Sequence, residues 1–235
     1  MSSELRFEGG GTSATLTLKR SPRARVMRLR VDARTGSVVL TLPTRASERK
    51  ALIWAAGHRE WVEAALANVP AATIIAGGSE IPLYGEPHRI EWSAAAPRTP
   101  KVEPGRIVIG RPAEGLEARL LRWLKQHARN LLDTETREFA AKAGVSVTRV
   151  GCGDPASRWG SCSSSGSIRY SWRLILAPEY VRRATVAHEV AHRVHMNHSA
   201  AFHVLVEQLL GCDPKPARQW LKREGAALHR IGRPV

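Results

Sequence analysis

The segment from His188 to His192, which reads HEVAH, constrains the fold more than any other feature of the chain. Residues four positions apart lie on the same face of a helix, so this spacing brings two imidazoles within reach of one metal ion. An ordinary helix would bury aliphatic side chains on that face, and buried imidazoles need partners. The segment therefore predicts a helix with a metal site on its buried face. The residues that extend this face are Val181, Ala184, Thr185 and His195.

Glu189 follows His188 directly and lies one step round the predicted helix from it. From there its carboxylate reaches a water on the metal without entering the coordination sphere. Two histidines and a glutamate in this order form the zinc-peptidase pattern, in which the glutamate is the general base. The competing interpretation is a solvated surface carboxylate. We disfavour it because the other charges that this helix is expected to expose are basic, namely Arg182, Arg183 and Arg193.

A catalytic zinc usually takes three protein ligands, so the pattern requires one more. His195 lies about 10 Å along the helix axis from His188, at about 1.5 Å per residue, which is too far for easy convergence. We expect it near the metal without binding it. His198 follows the predicted end of the helix, where the chain can turn back, and it is our preferred third ligand. Glu207, on the next predicted helix, is the chief rival, and His203 is expected to pack or to cap a helix.

The first part of the chain has the pattern of a strand-rich region. Short alternating runs separated by turn residues predict antiparallel strands and hairpins from Ala14 to Leu42. Apolar residues at helical spacing predict one helix from Ala46 to Ala67. Proline, glycine and short apolar runs between Pro70 and Pro112 predict two or three further strands.

The second part is predominantly helical. An apolar stripe predicts a long helix from Leu116 to Ala143, closed by Gly144. Residues 145–176 read as strands and a hairpin with its turn at SSSG. Pro178 suits a first helical position and Ser199 an N-cap. Three further helices are predicted: Pro178 to His195, Ser199 to Leu210, and Lys215 to Leu228.

Three stretches of the chain together resemble the YgjP-like metallopeptidases, which are relatives of the SprT-like proteases. The stretches are SRWGSCSSSGSIRYSWRLILAP, HEVAHRVHMNHSAAF and KPARQWLKREG. The resemblance is most specific between Arg158 and Phe202 and extends weakly over the N-terminal strands and helix. It implies that His188, His192 and the histidine of Asn197-His198-Ser199 bind the metal and that Glu189 is the catalytic base.

We therefore predict an α+β fold, with a strand-rich region containing one helix over residues 1–110. A zincin-like catalytic domain, with a small antiparallel sheet and an active-site helix, is predicted over residues 111–235. The predicted function is zinc-dependent hydrolysis of peptide bonds, with a metal-activated water and Glu189 as general base. Its substrate would be a peptide or protein. The alternative is a basic nucleic-acid-associated protein with a structural or inactive zinc site.

Several residues near the motifs allow more than one role. Trp159 either packs beneath the active-site helix or lines a substrate site. Ser171 stands where the family often has asparagine, which leaves a side-chain role there open. Candidates for stabilising the oxyanion are Arg158, Tyr180 and His195. The cysteines Cys152, Cys162 and Cys212 are odd in number and show no metal spacing, so we expect reduced thiols.

The formal net charge of +15 predicts attraction to polyanions and hence nonspecific binding to nucleic acid through a basic surface. No stretch approaches the roughly 18 apolar residues of a membrane span, so no membrane partner is expected. The N-terminal residues lack the apolar run of a secretory signal, which favours a cytoplasmic protein. No oligomeric state is predicted.

Overall fold

The structure, a computed structural model, describes residues 5–9, 12–155 and 157–232. The chain divides into two units, residues 1–71 and residues 72–235. Strand-rich sheets in the N-terminal part and helices in the C-terminal part confirm the predicted α+β class. The predicted domain boundary at residue 110 stays a prediction, and the four strands that precede it belong to the second unit.

The first unit contains one four-stranded sheet in the order β1-β2-β4-β3. Strand β4 is central, and its alternate residues Val38, Leu40 and Leu42 are buried, as period-2 patterning requires. Strands β2 and β4 pair in parallel, whereas the sequence led us to expect antiparallel neighbours throughout. The strands are β1 (Leu5–Gly9), β2 (Thr12–Ser21), β3 (Arg28–Asp32) and β4 (Ser37–Pro43).

Two helices, not one, follow this sheet: α1 (Glu48–Ala56) and α2 (Arg59–Ala67). The prediction of a single helix from Ala46 to Ala67 was wrong at Gly57. Glycine is a weak helix former, and the helical pattern stops there, because the next amide, that of His58, bonds to the Ala55 carbonyl three residues back.

The second unit begins with another four-stranded sheet, in the order β5-β6-β8-β7. Four strands are present where two or three were predicted, because the short runs around Glu103 form two strands. The strands are β5 (Glu80–Leu83), β6 (Glu86–Trp92), β7 (Lys101–Glu103) and β8 (Arg106–Ile109).

Helix α3 (Leu116–Ala143) has the predicted bounds, and Gly144 ends it in the left-handed conformation. It packs against a three-stranded sheet of order β10-β11-β9. The predicted hairpin is present as an antiparallel β10–β11 pair, but β9 pairs with β11 in parallel, so the sheet is mixed and not wholly antiparallel. The strands are β9 (Arg149–Gly153), β10 (Gly160–Cys162) and β11 (Ser167–Ser171).

The run after β11 was predicted to continue as a strand, and this was wrong. Residues Trp172–Leu176 form a 3-10 helix, which is fully buried. The Ser171 hydroxyl caps it by accepting a hydrogen bond from the Arg173 amide. Ser171 therefore has a structural role at the position where the resemblance left its role open.

Three helices complete the unit: α4 (Glu179–Ala191), α5 (Ala200–Leu210) and α6 (Lys215–Arg230). Helix α4 is central and packs against α3, α5, α6 and β10. It ends at Ala191, four residues before the predicted end, because the amides of Val194 and His195 both bond to the Ala191 carbonyl. Pro178 precedes α4 as its N-cap, so it does not occupy the first helical position. Within the described residues, no helix is long and apolar enough to cross a membrane.

Candidate metal centre

His188 lies in the last turn of α4, and His192 follows that turn as the C-cap residue of the helix. The two imidazole rings stand edge to face, with their centroids 4.9 Å apart. His188 is partly buried and His192 is buried, as expected for the inward face of this helix. The chain thus holds two ligand-type side chains together through helical spacing alone.

His198 joins them from the turn between α4 and α5. Ser199 caps α5 by accepting a hydrogen bond from the Phe202 amide, as predicted, and this fixes the direction in which the chain enters the helix. The ring of His198 lies 5.1 Å from that of His188 and 4.8 Å from that of His192, measured between centroids. One nitrogen from each of the three histidines lies within 4.8 Å of the others.

The spacing of these nitrogens fits a metal ion. The Nε2 atoms of His188 and His198 are 3.2 Å apart. Two nitrogens that share a tetrahedral zinc at about 2.0–2.1 Å would lie about 3.3 Å from each other. A neutral imidazole is also a nitrogen donor that zinc prefers. The donor set and its spacing therefore match the group that the sequence predicts.

The orientation of His192 is set by the backbone. Its Nδ1 lies 3.0 Å from the carbonyl oxygen of His195. A carbonyl can only accept a hydrogen bond, so this contact places the proton on Nδ1 and leaves Nε2 with a free lone pair. His195 was expected near the metal without binding it. Its backbone carbonyl lies there and orients the His192 ring.

Phe202 forms the floor under the three imidazoles. Its ring is fully buried and is stacked on His192 with a centroid distance of 4.5 Å. Its edge contacts with His188 and His198 have centroid distances of 4.9 Å each. Sequence reasoning assigned no role to Phe202, although its position four residues after His198 placed it on the adjoining turn of α5.

Burial keeps the histidines neutral. Burial, together with the neighbouring His192 and His198, lowers the pKa of His188 to about 4. Burial also lowers the pKa of His192, against the opposing effect of the His195 carbonyl. These two imidazoles therefore carry free lone pairs at neutral pH, the state in which histidine binds a metal.

Glu189 is buried, with only 5% of its surface exposed, so the interpretation as a solvated surface carboxylate was wrong. Burial raises the pKa of Glu189 to about 7, and the positive charge of Arg158 opposes this shift. Strand β10 approaches the carboxylate closely at Gly160. A Cβ atom added to Gly160 would lie 2.6 Å from the Glu189 Cγ and 2.7 Å from its Cδ, so a glycine is required there.

His188 and Glu189 face one cavity of about 270 Å³. Its walls come from α4, α5, α6 and the region of β10. Much of this lining is apolar, which suits a site that receives an organic substrate beside a polar reacting centre. The remaining lining residues are Arg158, Trp159, Gly160, Ala184, Thr185, His203, Val206, Pro214, Ala217, Arg218 and Leu221.

Other residues singled out in the sequence lie as follows. Glu207 is exposed on α5 and is not part of the three-histidine group. His203 was expected to pack or cap, but it is exposed and lines the cavity. Of the three oxyanion candidates, Arg158 lines the cavity, whereas Tyr180 is 47% exposed on the first turn of α4.

Trp159 lines the cavity, but its packing partner is α6 and not the active-site helix that the sequence suggested. It is partly buried against the core of the second unit. Its ring packs on α6, 4.9 Å from the ring of His229, and a Cβ at Gly225 would lie 2.8 Å from its Cζ2. Gly225 therefore lets the indole pack closely on α6 while one side of Trp159 borders the cavity.

Comparison with known proteins identifies the family of the chain. The family model described as YgjP-like, metallopeptidase domain, matches residues 25–224. The chain belongs to the YgjP-like metallopeptidase family, and the resemblance seen in the sequence is confirmed. Membership implies a metal ion and a metallohydrolase activity. Neither the curated proteins nor the solved structures gave a match.

Proposed function

We propose that the protein is a zinc-dependent metallopeptidase that hydrolyses peptide bonds in the cavity beside His188, His192 and His198. The observation that carries this proposal is the convergence of three histidine nitrogens next to a buried carboxylate that faces the same cavity. Three protein ligands leave a tetrahedral zinc with one open position, as catalytic zinc sites require.

Zinc in such a site acts as a Lewis acid and lowers the pKa of the water that it binds. The protein's own residues supply the rest. Glu189 takes the proton of the attacking water and later gives it to the leaving amine. Its helical position next to His188 and its contact with Gly160 hold the carboxylate at the cavity wall.

Arg158 is our candidate for stabilising the oxyanion. It lines the cavity, and its positive charge lowers the pKa of Glu189, although burial has the larger, opposite effect. Within the described part of the chain its guanidinium has no hydrogen-bond or ion-pair partner. It is therefore free to donate to an oxygen that becomes negative in the transition state.

The apolar wall of the cavity indicates the substrate. Ala184, Val206, Ala217 and Leu221 line it, and the Thr185 hydroxyl is already bonded to the Val181 carbonyl. Such a wall binds an apolar side chain better than a polar one, since polar groups would lose water without new partners. We propose a peptide with an apolar residue beside the bond that is cut.

The alternative is a nucleic-acid-associated protein whose zinc is structural or inactive. A structural zinc normally has four protein ligands, often cysteines. The three-histidine group contains no cysteine, and burial raises the pKa of Cys152 to about 11 and also raises that of Cys162, so neither thiol is readily ionised. These observations favour the catalytic proposal.

Metal analysis combined with peptide cleavage tests the proposal. We expect about one zinc per chain and cleavage of a mixed peptide library with a preference for apolar residues beside the cut. A chelator should abolish cleavage, and added zinc should restore it, because the metal supplies the electrophile. Protein that retains no metal, or that cleaves equally well after its metal is removed, would contradict the proposal.

A further inference from the structure

A second cavity, of about 260 Å³ and separate from the metal centre, is lined by Arg129, Arg149 and Arg169. Helix α3 supplies Arg129, while β9 and β11 supply the other two. The rest of its lining is neutral and consists of Gly151, Cys152 and Ser167. In the described parts of the chain, no hydrogen-bond or ion-pair partner is found for the three guanidinium groups.

The sheet register explains why these arginines converge. In the parallel β9–β11 pair, Arg149 lies opposite Ser167 and Arg169 lies opposite Gly151. Side chains directly opposite one another point to the same face of a sheet, so both arginines stand on one face. The other face packs into the core of the unit through buried residues such as Ile168.

Two glycines leave this face open. The Cγ of Arg169 lies 3.6 Å from the position of a Cβ on Gly151, and its Nη2 lies 3.0 Å from that of a Cβ on Gly153. The Arg169 side chain therefore lies along the backbone of two glycines, which have no side chains to obstruct it. A side chain at Gly153 would have to displace the guanidinium.

The charge in this cavity has no counterpart in its walls. Three like charges repel one another, and an anion would relieve that repulsion. Cys152 does not supply the anion, because burial raises the pKa of its thiol to about 11 despite the opposing charge of Arg129. An anionic ligand in this cavity would supply the negative charge that its walls lack.

A neighbouring cavity, of about 290 Å³, shares Arg129 and Arg149 with the first. Arg137 adds a further charge there, and Asp133 is held by Arg137 at 3.3 Å. A single small anion would occupy one cavity, whereas a chain of anions can occupy both. Arginine is well suited to such a ligand because its planar donors match phosphate oxygens.

We propose that the surface formed by Arg129, Arg149 and Arg169 binds consecutive phosphates of a nucleic acid strand. The contacts are to the backbone and not to the bases, so binding is independent of sequence. The site gathers three of the 36 Lys and Arg residues of this basic chain. The proposal does not depend on the metal centre or on its activity.

Fluorescence anisotropy with a labelled single-stranded oligonucleotide of about 12 nucleotides tests it. The variant Arg129→Gln/Arg149→Gln/Arg169→Gln removes three positive charges from exposed positions. Each phosphate contact in a single strand contributes about 0.7 to the salt slope, so we expect a slope about 2 smaller and binding about 100-fold weaker at about 0.1 M salt.

A matched control removes the same charge elsewhere in the unit. Arg98, Arg111 and Arg122 are exposed, and the variant Arg98→Gln/Arg111→Gln/Arg122→Gln should keep most of the binding. Equal losses in both triple variants would mean that overall charge binds the strand, which would overturn the proposal. Thermal melting of each variant verifies that it is folded.

Competitors distinguish the ligand. A polyglutamate of the same charge should compete much more weakly than the unlabelled oligonucleotide, because carboxylates lack the spacing of a phosphate backbone. Equal competition would overturn the assignment to nucleic acid in favour of an acidic peptide. Absence of oligonucleotide binding at low salt would overturn it as well.

Discussion

The two halves of α4 each bury a charged side chain, but only one of the two side chains has hydrogen-bond partners. In the N-terminal half, Arg182 is buried and donates three hydrogen bonds to Glu135, at 2.9–3.1 Å. In the C-terminal half, Glu189 is as deeply buried, at 5% exposed against 4% for Glu135. Among the described residues, none donates a hydrogen bond to the Glu189 carboxylate.

This difference distinguishes residues that stabilise the packing of helices from a residue that takes part in catalysis. A buried ion pair fixes how two helices pack, and here the three hydrogen bonds from Arg182 occupy both carboxylate oxygens of Glu135. A buried carboxylate without hydrogen-bond donors costs stability. The presence of Glu189 beside three histidines is therefore better explained by a catalytic role than by a structural one. Arg182 and Glu135 thus join α4 to α3, while Glu189 and the histidines face the cavity.

The largest effect expected from this comparison is at His198. Loss of a group that only orients a ligand costs about 10- to 100-fold in metal affinity, so loss of a ligand should cost more. We expect His198→Ala to lose zinc on dialysis and to lose activity with it, while the fold is kept because His198 is exposed. Metal analysis of the dialysed protein measures this.

Glu207→Ala is the matched control, since Glu207 is the exposed rival ligand on α5. It should keep its zinc. If Glu207→Ala lost the metal while His198→Ala kept it, the glutamate would be the third ligand and the assignment of His198 would be wrong.

The next largest effect is on stability and comes from the paired half of the helix. Arg182→Met removes the three hydrogen bonds to the buried Glu135 and leaves it only the longer contact with Arg183, at 3.9 Å, which should lower the free energy of unfolding by about 3 kcal/mol. Arg183→Met is the control, because Arg183 bonds to the more exposed Glu138 at 2.7 Å and reaches Glu135 only at 3.9 Å, so its loss should cost about 1 kcal/mol. Urea denaturation of both variants compares them.

Equal destabilisation by Arg182→Met and Arg183→Met would remove the distinction between a buried and an exposed pair. A double variant sharpens the test. Replacing Arg182 by Met and Glu135 by Leu removes both charges and should recover part of the lost stability.

The smallest effect concerns Phe202. Phe202→Leu keeps an apolar side chain but removes the ring under the histidines, so we expect about 1–2 kcal/mol of destabilisation. We also expect zinc affinity to fall about tenfold, as for other groups that orient metal ligands. Phe139→Leu, at another buried phenylalanine, should destabilise similarly without affecting zinc. A competitive zinc titration that found equal affinity in both variants would contradict the role of Phe202.

The sequence predicted features that depend on local spacing. Histidines four apart bring two rings together in any helix, and Gly144 ends α3 whatever surrounds it. The turn after α4 places His198 beside His188, as expected from its position beyond the predicted end of the helix. These features rest on neighbours in the chain, so one sequence suffices.

Features that depend on distant contacts were missed. Arg182 was expected on the surface, because its partner Glu135 lies 47 residues away on α3. The need for glycine at Gly160 arises only when β10 packs on α4. The single helix predicted over α1 and α2 failed because periodicity alone did not register the break at Gly57.

The central claim is that the buried Glu189 carboxylate, to which no described residue donates a hydrogen bond, is the general base of peptide hydrolysis. Glu189→Gln keeps the size of the side chain but cannot accept a proton, so peptide hydrolysis should fall by at least about 10²- to 10⁴-fold. Zinc content should stay close to that of the unaltered protein, because Glu189 is not a proposed ligand. The urea midpoint should stay the same or rise, because glutamine fits the same space and removes a buried carboxylate.

Hydrolysis rate and zinc content measured on the same preparation test this claim most directly, with Glu207→Gln beside it as a carboxylate-to-amide control. The account predicts that only Glu189→Gln loses hydrolysis and that both variants hold one zinc per chain. If Glu189→Gln hydrolysed peptide as fast as the unaltered protein with its zinc in place, Glu189 would not be the base, and the central claim would be contradicted.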